Sequence, residues 1–450
     1  MRSTFDGKCI VMNRITVSKI EVAQNQLRVS FDCKGQIRKF FIENKFIAEY
    51  DIPVEKVPEA ILIIPFLATI SPIAWANQAE VLVETVDATF LSSLNLIRKT
   101  LQKFYPQMKF TGNIKAENVL SPCVEARTRR MMLFSGGIDS LTTFIRHQDE
   151  NPILASVQET DFLKNTKEKA QNIGQMNITQ NISSKYLEDF SSTTKSENRI
   201  IVSNFISVPD NCMLGIYQKQ LSGGWYPRVM HGLALIGLCA PLAYIEKVDK
   251  LYIASSFTAD TQIPWGSHPD IDNNIKWTGT RVEHDAYELS RQDKIFLIAD
   301  YIKNKKPEPQ IRVCQSGSKL DENCSRCEKC SRTILGLELA GVDPNKHGFS
   351  VGAETFSYIK KNLEDRTWRF GDGQVNVWTD LQKHASNAKE IPHHEARALI
   401  DWLRNLDVES LRVKPSRSKL ADPFFKMLPY PIYKLAKKPY YKFTERFYRK

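Results

Sequence analysis

Residues Met131–Ser140, MMLFSGGIDS, restrict the possible folds more than any other stretch of this chain. Four apolar residues, Met131 to Phe134, read as a short buried strand. Ser135-Gly136-Gly137-Ile138-Asp139-Ser140 follows, and LTTFIRH after it has helical spacing. Strand, Gly-rich turn and helix together make a cradle for an anion. The glycines let the backbone turn sharply and approach a ligand with no Cβ in the way. The first N–H groups of the helix lack intrahelical partners and carry the positive end of its dipole. Ser135 and Ser140 add hydroxyl donors. Asp139 repels a bare phosphate, so its expected role is to hold Mg²⁺ or to fix the loop. No Gly-Lys-Ser/Thr follows at Walker A spacing, and GxGxxG is missing, so neither of those nucleotide motifs accounts for the loop.

A chain of 450 residues suggests two to four domains with ample core. Its 42% hydrophobic and 25% charged composition is that of a globular protein, which excludes a disordered or fibrous class. MRSTFDGKCIVMNRITV has no continuous apolar run and no small-residue cleavage site, so the expected location is cytoplasmic. The most membrane-like stretch, within residues 60–76, is short for a span and holds Pro65 and Pro72; a buried core helix or strand pair is expected there. Of nine cysteines, Cys314, Cys324, Cys327 and Cys330 cluster and the rest scatter. An odd number with one tight cluster argues for a reducing compartment and a metal site rather than a disulfide framework.

Residues 1–122 are expected to form a small α+β domain. ITVSKIEV, LRVSFDC, IRKFFIE and AEVLVETVDA read as strands, and ATFLSSLNLIRKTLQKFY as a helix with a basic outer face. Nothing in this unit has catalytic spacing, which leaves docking of a substrate, a partner or a second subunit, as in a homodimer. Residues 123–345 alternate strands and helices: PILASVQE, RIIVSNFISV, KLYIASS and QIRVCQ as strands, MHGLALIGLCAPLAYIEK and HDAYELSRQDKIFLIADYIK as helices. Such alternation predicts an α/β domain with a central parallel sheet, doubly wound, with its ligand beyond the carboxyl ends of the strands. The polar segment between Phe162 and Asn198 reads as a helix plus a mobile loop. Residues 346–427 read as a helical C-terminal region in which WRFGDGQVNVW places aromatic residues around a tight Gly-Asp-Gly turn.

Cys314-x9-Cys324-Ser-Arg-Cys327-Glu-Lys-Cys330 carries four soft thiol ligands in one short span. Thiolates suit tetrahedral Zn²⁺, and a CxxC turn brings two sulfurs to one ion. Cys327 belongs to two overlapping CxxC units, so Cys314 must return to complete the site. Four sulfurs and no histidine imply a closed, structural site; an iron–sulfur cluster is the rival. Arg326, Lys329 and Arg332 would offset part of the thiolate charge.

The SGGxDS loop resembles the signature of the PP-loop ATP pyrophosphatases (adenine nucleotide alpha hydrolase-like). With CxxCxxC at the far end of the same domain, the chain is similar to 7-cyano-7-deazaguanine synthase, the QueC branch of that family. The resemblance covers about Met131 to Gly341. It implies ATP, Mg²⁺ and Zn²⁺, release of pyrophosphate on adenylating a carboxylate, then attack by an amine or ammonia to give an amide, nitrile or conjugate. Glu288–Ile295, ELSRQDKI, is similar to the segment that follows the family's substrate strand. The chain departs from that family in its length, in its N-terminal unit, in its tail and in the long segment Pro264–Asp285. QueC-like proteins with extra domains occur in bacterial defence and surface-polysaccharide gene clusters, so the substrate, a small-molecule or protein carboxylate, does not carry over.

Ser255–Asp285 follows the strand LYIAS and should lie near the cradle. Trp265 would stack on a planar base. His268, Asp270 and Asp272 would contact substrate, with Asp270 or Asp272 accepting from ring N–H groups or ligating Mg²⁺. Arg281, Arg291 and Lys294 would neutralise charge on the leaving pyrophosphate, an electrostatic task shared with Asp139 through its metal. The bland alternative is a solvated loop whose charges satisfy one another. The tail, residues 428–450, interleaves Lys and Arg with Tyr and Phe. That pattern suits an acidic surface, membrane or nucleic acid, and equally a tail packing its rings on its own domain. Two other functions remain open on the residues: a PP-loop tRNA-modifying enzyme, and a non-catalytic nucleotide sensor or scaffold.

Overall fold

The computed structural model describes residues 12–159, 184–261, 263–304, 309–314, 322–368, 370–386, 390–412, 428, 430–433 and 435–436. One eleven-stranded sheet runs through it. Its strands are β1 Arg14–Ala23, β2 Gln26–Lys34, β3 Lys45–Tyr50, β4 Glu80–Asp87, β5 Asn113–Leu120, β6 Arg129–Leu133, β7 Ile153–Glu159, β8 Asn198–Ser203, β9 Val248–Ala254, β10 Lys276–Trp277 and β11 Thr280–Asp285. They lie in the order β10-β11-β9-β6-β7-β8-β3-β2-β1-β4-β5.

The stretch β11-β9-β6-β7-β8 is parallel throughout. Counted in chain order from β6, these strands lie 5-4-1-2-3, the doubly wound arrangement in which strand order reverses beside the first strand. The reversal falls between β6 and β9, so the loop after β6 sits at the switch point. Alternation along the buried strands divides two cores. Met131, Ile153, Ala155, Leu251 and Ile253 belong to one, and Met132, Leu154 and Tyr252 to the other.

The first core also takes the N-terminal residues, because β3 pairs with β8 and joins β1–β3 to the parallel strands. The expected unit 1–122 thus shares both sheet and core with the segment after it. Residues Ile64–Ala76 form an entirely buried helix, Pro72 included. Gly237 lets a second apolar run lie against it, since a Cβ there would stand 2.3 Å from the Ala68 Cβ. That run, Tyr226–Ile245, is the one described helix long and apolar enough to cross a membrane, and 78% of its apolar window is buried inside the protein. The second core holds the helix Ile138–His147, the helix Arg291–Asn304 and the C-terminal helices Glu328–Leu339, Ala353–Glu364, Asp372–Ala385 and His394–Leu403.

Several expected elements differ. IRKFFIE holds a 3-10 turn, Gln36–Phe40, entered through Gly35 at φ +83°. Residues 310–314 of QIRVCQ join no strand, because Asn323 takes much of their backbone bonding: its Oδ1 accepts from Val313 N and Cys314 N, and its Nδ2 donates to Ile311 O. The Gly-Asp-Gly of WRFGDGQVNVW begins the helix Asp372–Ala385, with the Gln374 side chain returning to cap Gly371 N. The helix expected in the polar segment is Ser184–Thr194; the expected mobile loop lies outside the described residues.

Candidate functional site

β6 ends at Leu133, Phe134 N donates to Ala155 O, and the chain turns through Ser135-Gly136-Gly137 into the helix Ile138–His147. Gly136 sits at φ +68°, where L side chains are strained, and a Cβ would lie 2.7 Å from the Tyr186 ring. The loop is braced internally. Ser140 Oγ donates to Gly137 O and accepts from Ser135 N and Ser135 Oγ, each at 3.2 Å. The Ser140 hydroxyl thus holds the turn in shape.

Asp139 meets two cations from the helix Arg291–Asn304. Arg291 lies 2.9 Å from Oδ2 and Lys294 3.1 Å from Oδ1. Ser290 and Asp293 start that helix with reciprocal side-chain-to-backbone bonds of 3.0 and 3.1 Å, which fix the turn carrying both cations. Burial works to raise the Asp139 pKa, but Arg291, Lys294 and then Lys329 outweigh it and hold the carboxyl at about 2. Lys329 and Arg332, three apart on the helix Glu328–Leu339, feel the charges of Arg291 and Asp139. Burial, with Arg332 and Arg291 beside it, brings Lys329 down to about 8. Four cations thus gather around two carboxylates, Asp139 and Glu328, at the N-terminus of the loop helix. An Asp139 gripped by two cations is poorly placed to take Mg²⁺ alone, because the metal would join charges of its own sign.

The four cysteines converge. Their sulfurs all lie within 4.8 Å of one another, with Cys314–Cys327 at 4.0 Å and Cys324–Cys330 at 3.9 Å. A tetrahedral ZnS₄ centre needs sulfurs ~3.8 Å apart, so the four fit the ion. Thiol donation from Cys330 favours a thiolate on Cys327. Arg312, two residues before Cys314, donates its N–H to Gly136 O at 2.9 Å. Tyr186 lies on the same glycine and donates to Gln310 O at 2.6 Å. The cysteine site and the loop after β6 are joined through this short strap.

Other expected residues disperse. Arg281 stands at the amino end of β11, 58% exposed and paired with Asp249. It pairs in register with Lys250, which pairs with Arg130, so it lies at the opposite sheet edge from the loop. Its expected role at the pyrophosphate is corrected, because parallel strands bring only their carboxyl ends to the switch point. Asp270 is 56% exposed. His268 Nδ1 accepts from Asp270 N, and its Nε2 contacts the Tyr287 hydroxyl at 3.2 Å. Trp265 packs edge-on against Phe257 beneath the Arg228 guanidinium. Asp272 is fully buried; its Oδ2 accepts from Ser267 Oγ and His284 Nδ1, each at 2.7 Å. An acid so enclosed is unsuited to a solvated Mg²⁺. Arg228 lies over Gly223 and donates to Pro264 O and Ser222 O, so Ser222-Gly223-Gly224, which repeats the Gly pair of the loop, forms no cradle. His393 Nδ1 lies 2.7 Å from the Glu338 carboxylate in the C-terminal region.

Lys329, Arg332, Arg312 and Tyr186 are absent from the set expected at the loop. Lys329 and Arg332 had a readable signal, one cation inside the last CxxC and one just after it, three apart on one helix, but were assigned to the thiolates. At the chain's end, Tyr433 donates to Asp210 at 2.9 Å and Arg38 lies over the Tyr430 ring, so the first tail rings pack on the body. Residues 437–450 of the tail lie outside the described residues. No protein-family model, curated protein or solved structure matches this chain.

Proposed function

We propose that the protein is an ATP-dependent enzyme of QueC-like, PP-loop type that adenylates a carboxylate with release of pyrophosphate and passes the acyl group to an amine. The observation that carries this reading is the cation cluster Arg291, Lys294, Lys329 and Arg332 around Asp139 at the head of the loop Ser135–Gly137. A triphosphate carries several negative charges, and positioned cations beside helix N–H groups stabilise the charge that builds on the leaving pyrophosphate. Asp139 occupies the cations in the free protein; phosphate oxygens would take over Arg291 and Lys294, leaving the Asp139 carboxylate open to a Mg²⁺ that arrives with the nucleotide. Cys314, Cys324, Cys327 and Cys330 would hold Zn²⁺ as a structural ion supporting the strap to Gly136. The substrate carboxylate is small or protein-borne, with a deazaguanine among the candidates.

The test is carboxylate-dependent pyrophosphate release from ATP, run with 7-carboxy-7-deazaguanine and a panel of amino and aromatic acids. Lys294→Met should lower release by about 10²-fold or more, in line with loss of one preorganised charge contact. Release that persists unchanged in Lys294→Met and Asp139→Ala, or never occurs with ATP, would overturn the reading.

A further inference from the structure

His284 and Asp272 form a buried pair that the phosphate site does not use. His284 Nδ1 lies 2.7 Å from Asp272 Oδ2, and both side chains are at most 1% exposed. A carboxylate oxygen accepts there, so Nδ1 carries a proton, and in the neutral imidazole the lone pair is then on Nε2. Among the described residues Nε2 has no hydrogen-bond partner, nor has Asp272 Oδ1 or His231 Nδ1. Buried polar atoms without partners are rare, and three in one cluster call for a reason.

The register locates the pair. His284 pairs with Ile253 of β9, and the preceding Tyr252 pairs with Met132 of β6. His284 therefore stands two strands, about 10 Å, from β6, at the height where β6 gives way to the phosphate loop. Asp285 points to the face of the loop helix, where Arg146 and His147 bind it. Its neighbour His284 points to the other face, beside the start of the helix His231–Leu238. His231, His268 and Tyr287 surround it there.

We propose that His284, held by Asp272, is the general base for the amine that attacks the activated carboxylate. This rests on the adenylation reading above. The amine nitrogen adds to the acyl carbon and gives one proton to His284 Nε2. The bond from that carbon to the AMP oxygen breaks, and AMP leaves with the electron pair; nothing is oxidised or reduced. Asp272 is a positioning residue: it fixes the tautomer, and Ser267 Oγ anchors its shared oxygen at 2.7 Å.

The test separates the two half-reactions in the full chain. The carboxylate that supports pyrophosphate release is supplied with either ammonium chloride or hydroxylamine. Hydroxylamine is largely unprotonated at neutral pH, and its adduct gives up its proton to water more readily than that of ammonia, so it depends far less on an enzyme base. His284→Gln should keep pyrophosphate release and hydroxamate formation, while amide formation from ammonium falls about 10²- to 10⁴-fold. Asp272→Asn should show the same split. Preserved release also reports that the variants fold. Equal loss of amide and hydroxamate, or amide formation at the wild-type rate, would overturn the base assignment alone. Absence of carboxylate-dependent release from the wild-type protein would overturn the adenylation reading and the base with it. Proton–nitrogen correlation NMR of the free protein adds a readout independent of turnover: a proton found on His284 Nε2 would also overturn the proposal.

Discussion

Asp139 is the residue on which the candidate site balances. Its carboxyl stays ionised at about 2 because Arg291, Lys294 and Lys329 outweigh the cost of burying it. An acid depressed in the folded state contributes stability that is present above its unfolded pKa of about 3.9 and lost as pH falls through the folded value. Asp139→Asn removes that contribution and leaves the four cations with Glu328 as their one remaining carboxylate. The variant should lose about 2–3 kcal/mol in urea denaturation at pH 7, with the gap intact at pH 5 and narrowing below about pH 4. The loop was legible at this scale because Gly-Gly before a helix has few other uses. The second shell of charge was not: Lys329 faces Asp139 only because two helices cross, and residue spacing within one helix says nothing about its neighbour.

At the scale of elements, the helix Ile138–His147 is held at both ends. Arg312 N–H grips Gly136 O before its start. At its other end His147 lies between Asp285, at 3.1 Å, and Glu150, at 2.9 Å. Burial lowers the His147 pKa, but bonds to Asp285 and Glu150 outweigh it and raise it above 6.5. A histidine raised in the folded state contributes stability that is full below the unfolded pKa of about 6.5 and is lost as pH rises through the folded value. Stability of the wild type should therefore fall as pH rises above about 6.5, and His147→Asn should flatten that slope in urea melts. Stripping a metal from the four cysteines would act on the same helix from its other end. Cys324→Ser, or chelation, should release one zinc equivalent by mass spectrometry and raise amide exchange at Gly136 and Gly137. Strands and helices with strong periodicity were readable as elements. QIRVCQ has a strand's composition, but the Asn323 side chain satisfies its backbone instead of a neighbouring strand. Arg281 misled for a related reason: a residue's place in β11 decides which sheet edge it reaches, and composition does not show where the strand begins.

Across the whole molecule, one sheet carries two cores, and this determines what can be cut away. The sequence break near residue 122 looks like a domain boundary because antiparallel strand signals give way to alternating strands and helices. Spatially β3 continues the parallel strands at β8, through Ala48–Ser203, Glu49–Val202 and Tyr50–Ile201. Phe46, Phe66 and Trp75 share a core with Met131, Ile201 and Leu251. Long-range pairing of this kind leaves no local signature, which is why alternation identified the strands without their order. A chain lacking residues 1–122 would expose the β8 edge and the apolar face of Tyr226–Ile245, whose Gly237 lies against Ala68. Large apolar faces and bare parallel edges drive aggregation. Residues 123–450 expressed alone should therefore be insoluble or bind a hydrophobic dye, while co-expression with residues 1–122 as a separate chain should restore a soluble complex in size-exclusion chromatography. A truncated chain that is soluble, monomeric and melts cooperatively would show that the second core and the five parallel strands suffice.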